Sequence, residues 1–281
     1  MSEFLRQPVA DALLDLCADA GAAIRAEYAA LRAGEFERKA DDTPLTRADL
    51  AAHRVLLEGL AALTPTIPVL SEESDPAAVR DRRRWQRLWL VDPLDGTREF
   101  LARTGEFTVN LALVEAQRPT LGVLYLPLER VAFAGAPGIG AWRCTPATAG
   151  WRWERLPAPA PDGPCRLLAS RRHRNERLEG VIAFLEARLG AVERRDSGSA
   201  LKFVQLARGE GDLYPRFSPC SEWDVAAGQA LVEGAGGAVL GLDGRPLRYN
   251  ARDTLLSEPF LALADPARPL WQELLATFRP P

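Results

Sequence analysis

Two carboxylates three residues apart sit at the centre of the chemistry this chain can offer. The run Trp89-Leu90-Val91-Asp92-Pro93-Leu94-Asp95-Gly96-Thr97 reads as an apolar strand that delivers Asp92 and Asp95 into a turn punctuated by proline and glycine. Pro93 fixes its own φ and biases Asp92 toward extended backbone, while Gly96 frees the chain beyond Asp95. Such a turn can aim Asp92, the Leu94 carbonyl and Asp95 at one point, an all-oxygen donor set suited to a hard divalent cation. The same residues also spell an ordinary Pro-x-Asp-Gly turn with no chemistry attached.

Two further acidic segments bear on that choice. Ile67-Pro68-Val69-Leu70 leads into Ser71-Glu72-Glu73-Ser74, again acids at the end of a short apolar strand. A solvated loop carries such a pair equally well. Glu222-Trp223-Asp224-Val225-Ala226-Ala227-Gly228 sets an acid at the start of a helix, where Asp224 could simply complement the positive end of the dipole. Thr46 and Asp49 have the spacing of a capping box, with Asp where Glu or Gln is usual.

A mixed set of elements must position these groups. Pro8 to Leu31 reads as a helix, with Pro8 near its first turn, Val9, Leu13, Leu16, Ile24 and Leu31 on or near one face, and Gly34 after its end. Thr46 to Leu63 reads as a second helix with Thr46 as N-cap. Strand-like runs follow at Ile67 to Leu70, Leu88 to Val91, Phe107 to Val114, Thr120 to Leu126 and Arg130 to Phe133. Two helices and then several strands predict an antiparallel sheet with helices on one face.

The segment Leu156-Pro157-Ala158-Pro159-Ala160-Pro161-Asp162-Gly163-Pro164 sustains neither a helix nor a central strand. It is the candidate boundary between an α+β half, residues 1–156, and an α/β half, residues 165–281. In the latter, strands and helices alternate over Arg166 to Ala169, Arg174 to Leu189, Ala191 to Glu193, Ser199 to Arg208, Asp212 to Tyr214, Trp223 to Ala235 and Ala238 to Leu240.

Bulk properties narrow the function classes. A chain of 281 residues that is 47% hydrophobic can bury a large core. Its net charge of -3, with acids and bases intermixed, offers no nucleic-acid footprint and no polybasic membrane patch. The basic run Arg80 to Arg87 reads as a solvated loop or helix face. Cys17, Cys144, Cys165 and Cys220 are scattered without a C-x-x-C pair, which fits reduced thiols in a cytoplasm. Neither a signal peptide nor an integral membrane segment is expected, and peripheral attachment to an inner membrane is left open.

Taken in order, the segments around Glu72, Asp92 to Thr97 and Asp224 resemble the signature of the inositol monophosphatase-like, magnesium-dependent phosphatases. The resemblance runs nearly end to end, and includes Lys39-Ala40-Asp41-Asp42-Thr43-Pro44-Leu45-Thr46-Arg47-Ala48-Asp49 and Gly105-Glu106-Phe107-Thr108-Val109-Asn110. Within that superfamily the chain resembles the bacterial 3'(2'),5'-bisphosphate nucleotidases through Gly198-Ser199-Ala200-Leu201-Lys202-Phe203 and Asp212-Leu213-Tyr214-Pro215-Arg216-Phe217.

The resemblance implies an α/β protein built as a layered α-β-α-β-α sandwich of the inositol monophosphatase and fructose-1,6-bisphosphatase type. It implies two magnesium ions. Glu72, Asp92 and the Leu94 carbonyl would hold the first, and Asp92 would bridge to the second, completed by Asp95 and Asp224. Glu72 and the Thr97 hydroxyl would orient the attacking water, with Asp49 assisting through a hydrogen bond or a weakly held third ion. The plainer readings are a Thr97 hydroxyl that satisfies its own turn and an Asp49 that only caps. Backbone N–H groups at Gly96 and Thr97 could receive a phosphate oxygen.

A bisphosphate substrate needs a grip on the phosphate that does not react, and fixed cationic side chains suit that task. Lys202 and Arg216 match the family positions for it, with Ser199 donating a hydrogen bond. Without the family they would read as a solvated helix lysine and a surface ion pair. Ser170-Arg171-Arg172-His173 resembles a loop that contacts the nucleotide, and His173 either lies against adenine or belongs to an ordinary surface loop. The implied reaction is hydrolysis of the 3'-phosphate of adenosine 3',5'-bisphosphate to AMP and phosphate, with 3'-phosphoadenylyl sulfate as an extension. Such enzymes serve sulfate assimilation and are commonly inhibited by lithium at a magnesium position.

The alternative is an inositol monophosphatase or sugar bisphosphatase on the same scaffold; a more remote one is a non-catalytic phosphate-binding protein. Two departures from the pattern, the charged Arg194-Arg195-Asp196-Ser197 and Glu222 before Trp223, remove no metal ligand. The partner expected is a small-molecule nucleotide bisphosphate, and the choice between monomer and homodimer stays open.

Overall fold

The computed structural model describes residues 9–31, 37–38, 44–156, 163–171 and 175–279. Pro8, Gly34, residues 39–43 and 157–162, and His173 lie outside these.

Five layers stack as helix, sheet, helix, sheet, helix. The first layer pairs α1 (Val9–Ala30) with α2 (Arg47–Leu63), and the strands β1 (Glu37–Arg38) and β2 (Pro44–Leu45) pair antiparallel in the connection between them. Thr46 starts α2 through a full capping box. Ala48, Ala52, Leu56 and Leu60 recur every fourth residue and bury one stripe against Leu13, Leu14, Cys17 and the sheet below.

That sheet has seven strands, β3 (Val69–Ser71), β4 (Arg87–Asp95), β5 (Thr108–Glu115), β6 (Arg118–Leu126), β7 (Val131–Ala136), β8 (Gly140–Pro146) and β9 (Trp151–Arg155), neighbours in that order. All pairs are antiparallel except β3 with β4. The one-turn helix α3 (Thr97–Leu101) follows β4.

The expectation of helices on one face of this sheet is corrected: both faces are covered. Trp89 and Val91 of β4 enter the core under α1 and α2, while Leu88 and Leu90 enter the core on the opposite side. An unbroken apolar run is what a strand buried on both faces requires. β8 and β9, absent from the sequence expectations, extend the sheet, and the Trp151 and Trp153 indoles donate to Asp15 and Asp11 of α1.

The second sheet comprises β10 (Cys165–Ser170), β11 (Val192–Ser197), β12 (Leu213–Arg216), β13 (Ala238–Gly241) and β14 (Phe260–Leu263), in spatial order β11-β10-β12-β14-β13. Its first three strands are parallel and its last pairings antiparallel. α4 (Glu176–Leu189) and α7 (Leu270–Phe278) cover the outer face, whereas α5 (Leu201–Ala207) and α6 (Ala226–Gly234) fill the space between the sheets.

α6 rests almost directly on the first sheet. A Cβ on Gly122 would stand 2.2 Å from the Ala227 carbonyl oxygen, and one on Gly135 would stand 2.4 Å from the Leu231 Cα. Only residues without side chains allow that approach.

The arginine run 80–87 departs from its expected solvated character at two residues: Arg87 is half-buried at the start of β4, paired with Glu115, and Arg82 goes further. Arg82 is only 7% exposed, because its guanidinium is drawn into hydrogen bonds with Asn250 and two backbone carbonyls. All four cysteines are free thiols. No helix among the described residues is long and apolar enough to cross a membrane.

Candidate functional site

The end of β4 is irregular, and that irregularity builds the site. Pairing with β5 shifts register between Asp92 and Asp95, a bulge that re-aims both side chains. Asp92 accepts the Leu94 N–H at 3.0 Å, which curls the chain around its own carboxylate. Gly96 then turns the backbone at φ 95°. A Cβ there would meet the Glu106 carbonyl oxygen at 2.9 Å, so both the conformation and the space require glycine.

The parallel neighbour β3 ends level with this point. Ser71 pairs with Val91, and the Glu72 N–H donates to the Val91 carbonyl at 3.0 Å, which carries Glu72 alongside Asp92. From the other sheet's side comes Asp224, at the end of a 3-10 turn Glu222–Asp224 that precedes α6. Its carboxylate accepts the Ser221 N–H at 2.9 Å, so it is fixed by its own capping box. One carboxylate oxygen each from Asp92, Asp95 and Asp224 lies within 4.8 Å of the other two. All three, with Glu72, line one cavity of about 300 Å³.

The rest of the expected set sorts around that cavity. Leu94, Gly96 and Thr97 line it beside the acids, and so do Ser170, Ser199, Lys202 and Arg216. Asp49 lies behind Thr97: the Thr97 hydroxyl is 3.1 Å from Asp49 Oδ1 and 3.3 Å from the Leu94 carbonyl. The other Asp49 oxygen accepts both the N–H and the hydroxyl of Thr46. Capping and contact with the cavity wall are thus carried by opposite oxygens of one side chain.

Lys202 is neither solvated nor surface-paired. It is 2% exposed, and its ammonium donates to the Ser197 and Ser199 carbonyls at 3.0 and 2.6 Å. An ammonium has three donors, so one remains. Arg216 makes no surface ion pair among the described residues either; its guanidinium donates to the Ser218 and Pro219 carbonyls, each at 3.0 Å.

Several residues that hold the site are invisible as chemistry in the sequence. Asp95 Oδ2 accepts from Asn110 Nδ2 at 3.3 Å and from the Ala200 N–H at 2.6 Å. Thr108 in turn donates to Asn110 Oδ1 at 2.7 Å. Glu106 accepts the Gly198 N–H at 2.9 Å and Arg171 at 2.6 Å. The segment Gly105 to Asn110 therefore ties the acidic turn to the loop before α5, and Ser199 occupies the left-handed region at φ 44° within that loop.

Electrostatics say what the cavity wants. Burial first, then Glu72, Asp95 and Asp224, hold the Asp92 carboxyl well above the usual carboxylate range. Burial raises Asp224 to about 8, with Asp95 and Glu72 adding to the effect. Asp95 rises to about 6, burial being partly offset by Lys202, Asn110 and the Ala200 N–H. Crowded, desolvated carboxylates of this kind are relieved by a hard cation. The one soft donor in the lining, Cys220, is pushed by burial to about 12, so its thiol stays protonated. The donor set fits magnesium.

A pH dependence follows from these shifts. Asp95 and Asp224 have native pKa values above those of an unfolded chain, so the cation-free protein binds more protons than its unfolded state from about pH 4 upward. Its stability therefore falls as pH rises from there through about 8. Cations must displace those protons, so the rise in melting temperature on adding magnesium should be larger at pH 8 than at pH 6. Calorimetry in buffers of different ionisation enthalpy should show proton release near neutrality. A magnesium-induced shift equal at both pH values would contradict the titrating cluster.

The sequence profile of the inositol monophosphatase family matches residues 5–277. The chain is 45% identical over 245 residues to the 3'(2'),5'-bisphosphate nucleotidase CysQ of Salmonella typhimurium, covering 87% of this chain and 95% of that protein. It is 42% identical over 250 residues to CysQ of Escherichia coli K12, covering 89% and 97%. Among solved structures, CysQ from Bacteroides thetaiotaomicron superposes with a TM-score of 0.80 at 37% identity, over 93% of this chain and 98% of that one. An inositol monophosphatase from Zymomonas mobilis shares the fold at 23% identity, TM-score 0.73 and 98% coverage of each chain.

Proposed function

The chain belongs to the inositol monophosphatase family, and from that premise we propose that it is a magnesium-dependent phosphatase of the 3'(2'),5'-bisphosphate nucleotidase type. Its reaction is hydrolysis of the 3'-phosphate of adenosine 3',5'-bisphosphate to AMP and phosphate, with 3'-phosphoadenylyl sulfate as a second substrate. One observation carries the choice within the family: two buried or half-buried cations, Lys202 and Arg216, line the same cavity as the four acids.

Glu72, Asp92 and the Leu94 carbonyl would hold one cation, and Asp92, Asp95 and Asp224 a second. When bound, they would supply Lewis-acid polarisation of the scissile phosphate, a more acidic water and charge neutralisation at the departing oxygen. The protein's own groups do the rest. The Thr97 hydroxyl has one hydrogen, directed at Asp49 or the Leu94 carbonyl, so its oxygen presents lone pairs to the attacking water. Glu72, on the neighbouring strand end, accepts the water's other hydrogen bond, so that the two together orient it for attack. N–H groups at Gly96 and Thr97 receive a phosphate oxygen. Lys202, Arg216 and the Ser199 hydroxyl grip the phosphate that does not react, which orients the reacting one. The free thiols support a reducing, cytoplasmic setting.

A phosphate-release panel across adenosine 3',5'-bisphosphate, inositol monophosphate and fructose 1,6-bisphosphate, each with magnesium and with or without lithium, tests this reading. The nucleotide is expected to be turned over with the highest kcat/KM. A clear preference for inositol monophosphate would move the assignment to the other branch of the family, and nucleotide binding without release at any magnesium concentration would remove the enzyme altogether.

A further inference from the structure

Arg82 has no part in the reaction just described, yet it is buried while Arg80, Arg83 and Arg84 of the same basic run are exposed. Its guanidinium donates to Asn250 Oδ1 at 2.7 Å and to the carbonyls of Arg252 and Asp253. Asn250 answers on both sides. Its side-chain amide donates to the Arg82 carbonyl at 2.6 Å, and its backbone N–H donates to Glu222 Oε2 at 2.6 Å. Asn250 holds this double contact at φ 53°, a left-handed conformation that asparagine tolerates better than most residues. Glu222 is 1% exposed, and its second oxygen has no hydrogen-bond partner among the described residues. Its carboxylate and the Arg82 guanidinium attract each other through the interior. The same stretch is pinned again where Glu222 N–H meets the Leu255 carbonyl and Ser257 N–H meets the Cys220 carbonyl, each at 2.8 Å.

The position of these groups in the chain gives the network its meaning. Arg82 lies in the connection between Glu72, just after β3, and Asp92 in β4. Glu222 opens the 3-10 turn that ends in Asp224. A single buried relay, Arg82 to Asn250 to Glu222, therefore joins the support of two acids to the turn that carries a third. Glu72 is tied to Asp92 by strand pairing, whereas Asp224 arrives on a segment that no strand pairing joins to theirs. Resting on the magnesium-dependent reading above, we infer that Arg82, acting through Asn250 and Glu222, is a positioning residue that holds Asp224 at the separation cation binding requires.

Arg82→Gln tests this directly. Mg²⁺ binding by titration calorimetry and Mn²⁺ binding by electron paramagnetic resonance should both weaken by about tenfold, as loss of groups that orient metal ligands does. The magnesium concentration for half-maximal phosphate release should rise in parallel, while kcat at saturating magnesium and KM for the nucleotide stay close to those of the unaltered protein. Arg84→Gln, an exposed neighbour whose guanidinium faces Asp81 instead of the 250–253 loop, should change nothing. Asn250→Gly keeps the backbone conformation and the Glu222 contact but removes the amide; it should reproduce the shift, and it replaces Arg82→Gln if that variant does not fold. Equal cation affinity in the unaltered protein and these variants overturns the inference, as does a loss of kcat that excess magnesium does not restore. If the unaltered protein itself binds neither cation, the magnesium-dependent reading fails first.

Discussion

Replacing Asp92 by asparagine is expected to cut phosphate release at saturating magnesium by about a thousandfold or more, a barrier increase of about 4 kcal/mol at about 1.4 kcal/mol per decade. The size of the effect follows from position. Asp92 sits between Glu72 on the adjacent strand end and Asp95 and Asp224 across the cavity, so both proposed cations lose a ligand at once. The fold should not suffer. Asp92 is buried, and its carboxyl is held well above the usual range by burial and its acidic neighbours. Burial already disfavours a charge at this position in the cation-free protein, and asparagine can accept the Leu94 N–H in its place. The melting temperature without magnesium should hold or rise, while the increment on adding magnesium shrinks. Normal turnover in a folded Asp92→Asn protein would refute the shared-ligand role.

Arg216→Ala should raise KM for adenosine 3',5'-bisphosphate by about thirtyfold, the consequence of losing about 2 kcal/mol of charge-assisted bonding. Adenosine 3'-monophosphate, which lacks the second phosphate, should be spared. Arg216 also ties the Ser218 and Pro219 carbonyls, so Arg216→Lys, which keeps charge but loses the fork, serves as the comparison and should fall between the two. Lys202 is the poorer probe, because truncating it strips two buried carbonyls of their donor and would confuse binding with folding. Equal losses on both substrates would mean that Arg216 shapes the cavity without touching a phosphate.

What the sequence made legible was local. The turn Asp92 to Thr97 could be read because proline, glycine and apolar strand residues act on their immediate neighbours. Its bulge and left-handed glycine are the structural form of that reading. The capping box at Thr46 and Asp49 was equally visible. What could not be read were pairings between distant segments. The Asp95 contact with Ala200 spans 105 residues and uses a backbone N–H, which no residue type announces. Asn110, quoted only as part of a motif, orients Asp95 from within a buried strand. Arg82 looked solvated because its neighbours are; its burial depends on where the 250–253 loop comes to rest. The helical cover on the second face of the first sheet was legible only through the family resemblance and not from local pattern, because α6 starts 71 residues beyond the sheet's last strand.

The close backbone approach of α6 to the first sheet at two glycines has its own consequence. With Gly122 against Ala227 and Gly135 against Leu231, main chain lies on main chain, and nothing compressible separates them. The two walls of the cleft are thus set apart by a gauge of bare backbone thickness. A single methyl group at position 122 would act as a shim under the first turn of α6, two residues beyond Asp224, and would be felt as a change in the bore of the cleft before it was felt anywhere on the outside of the molecule.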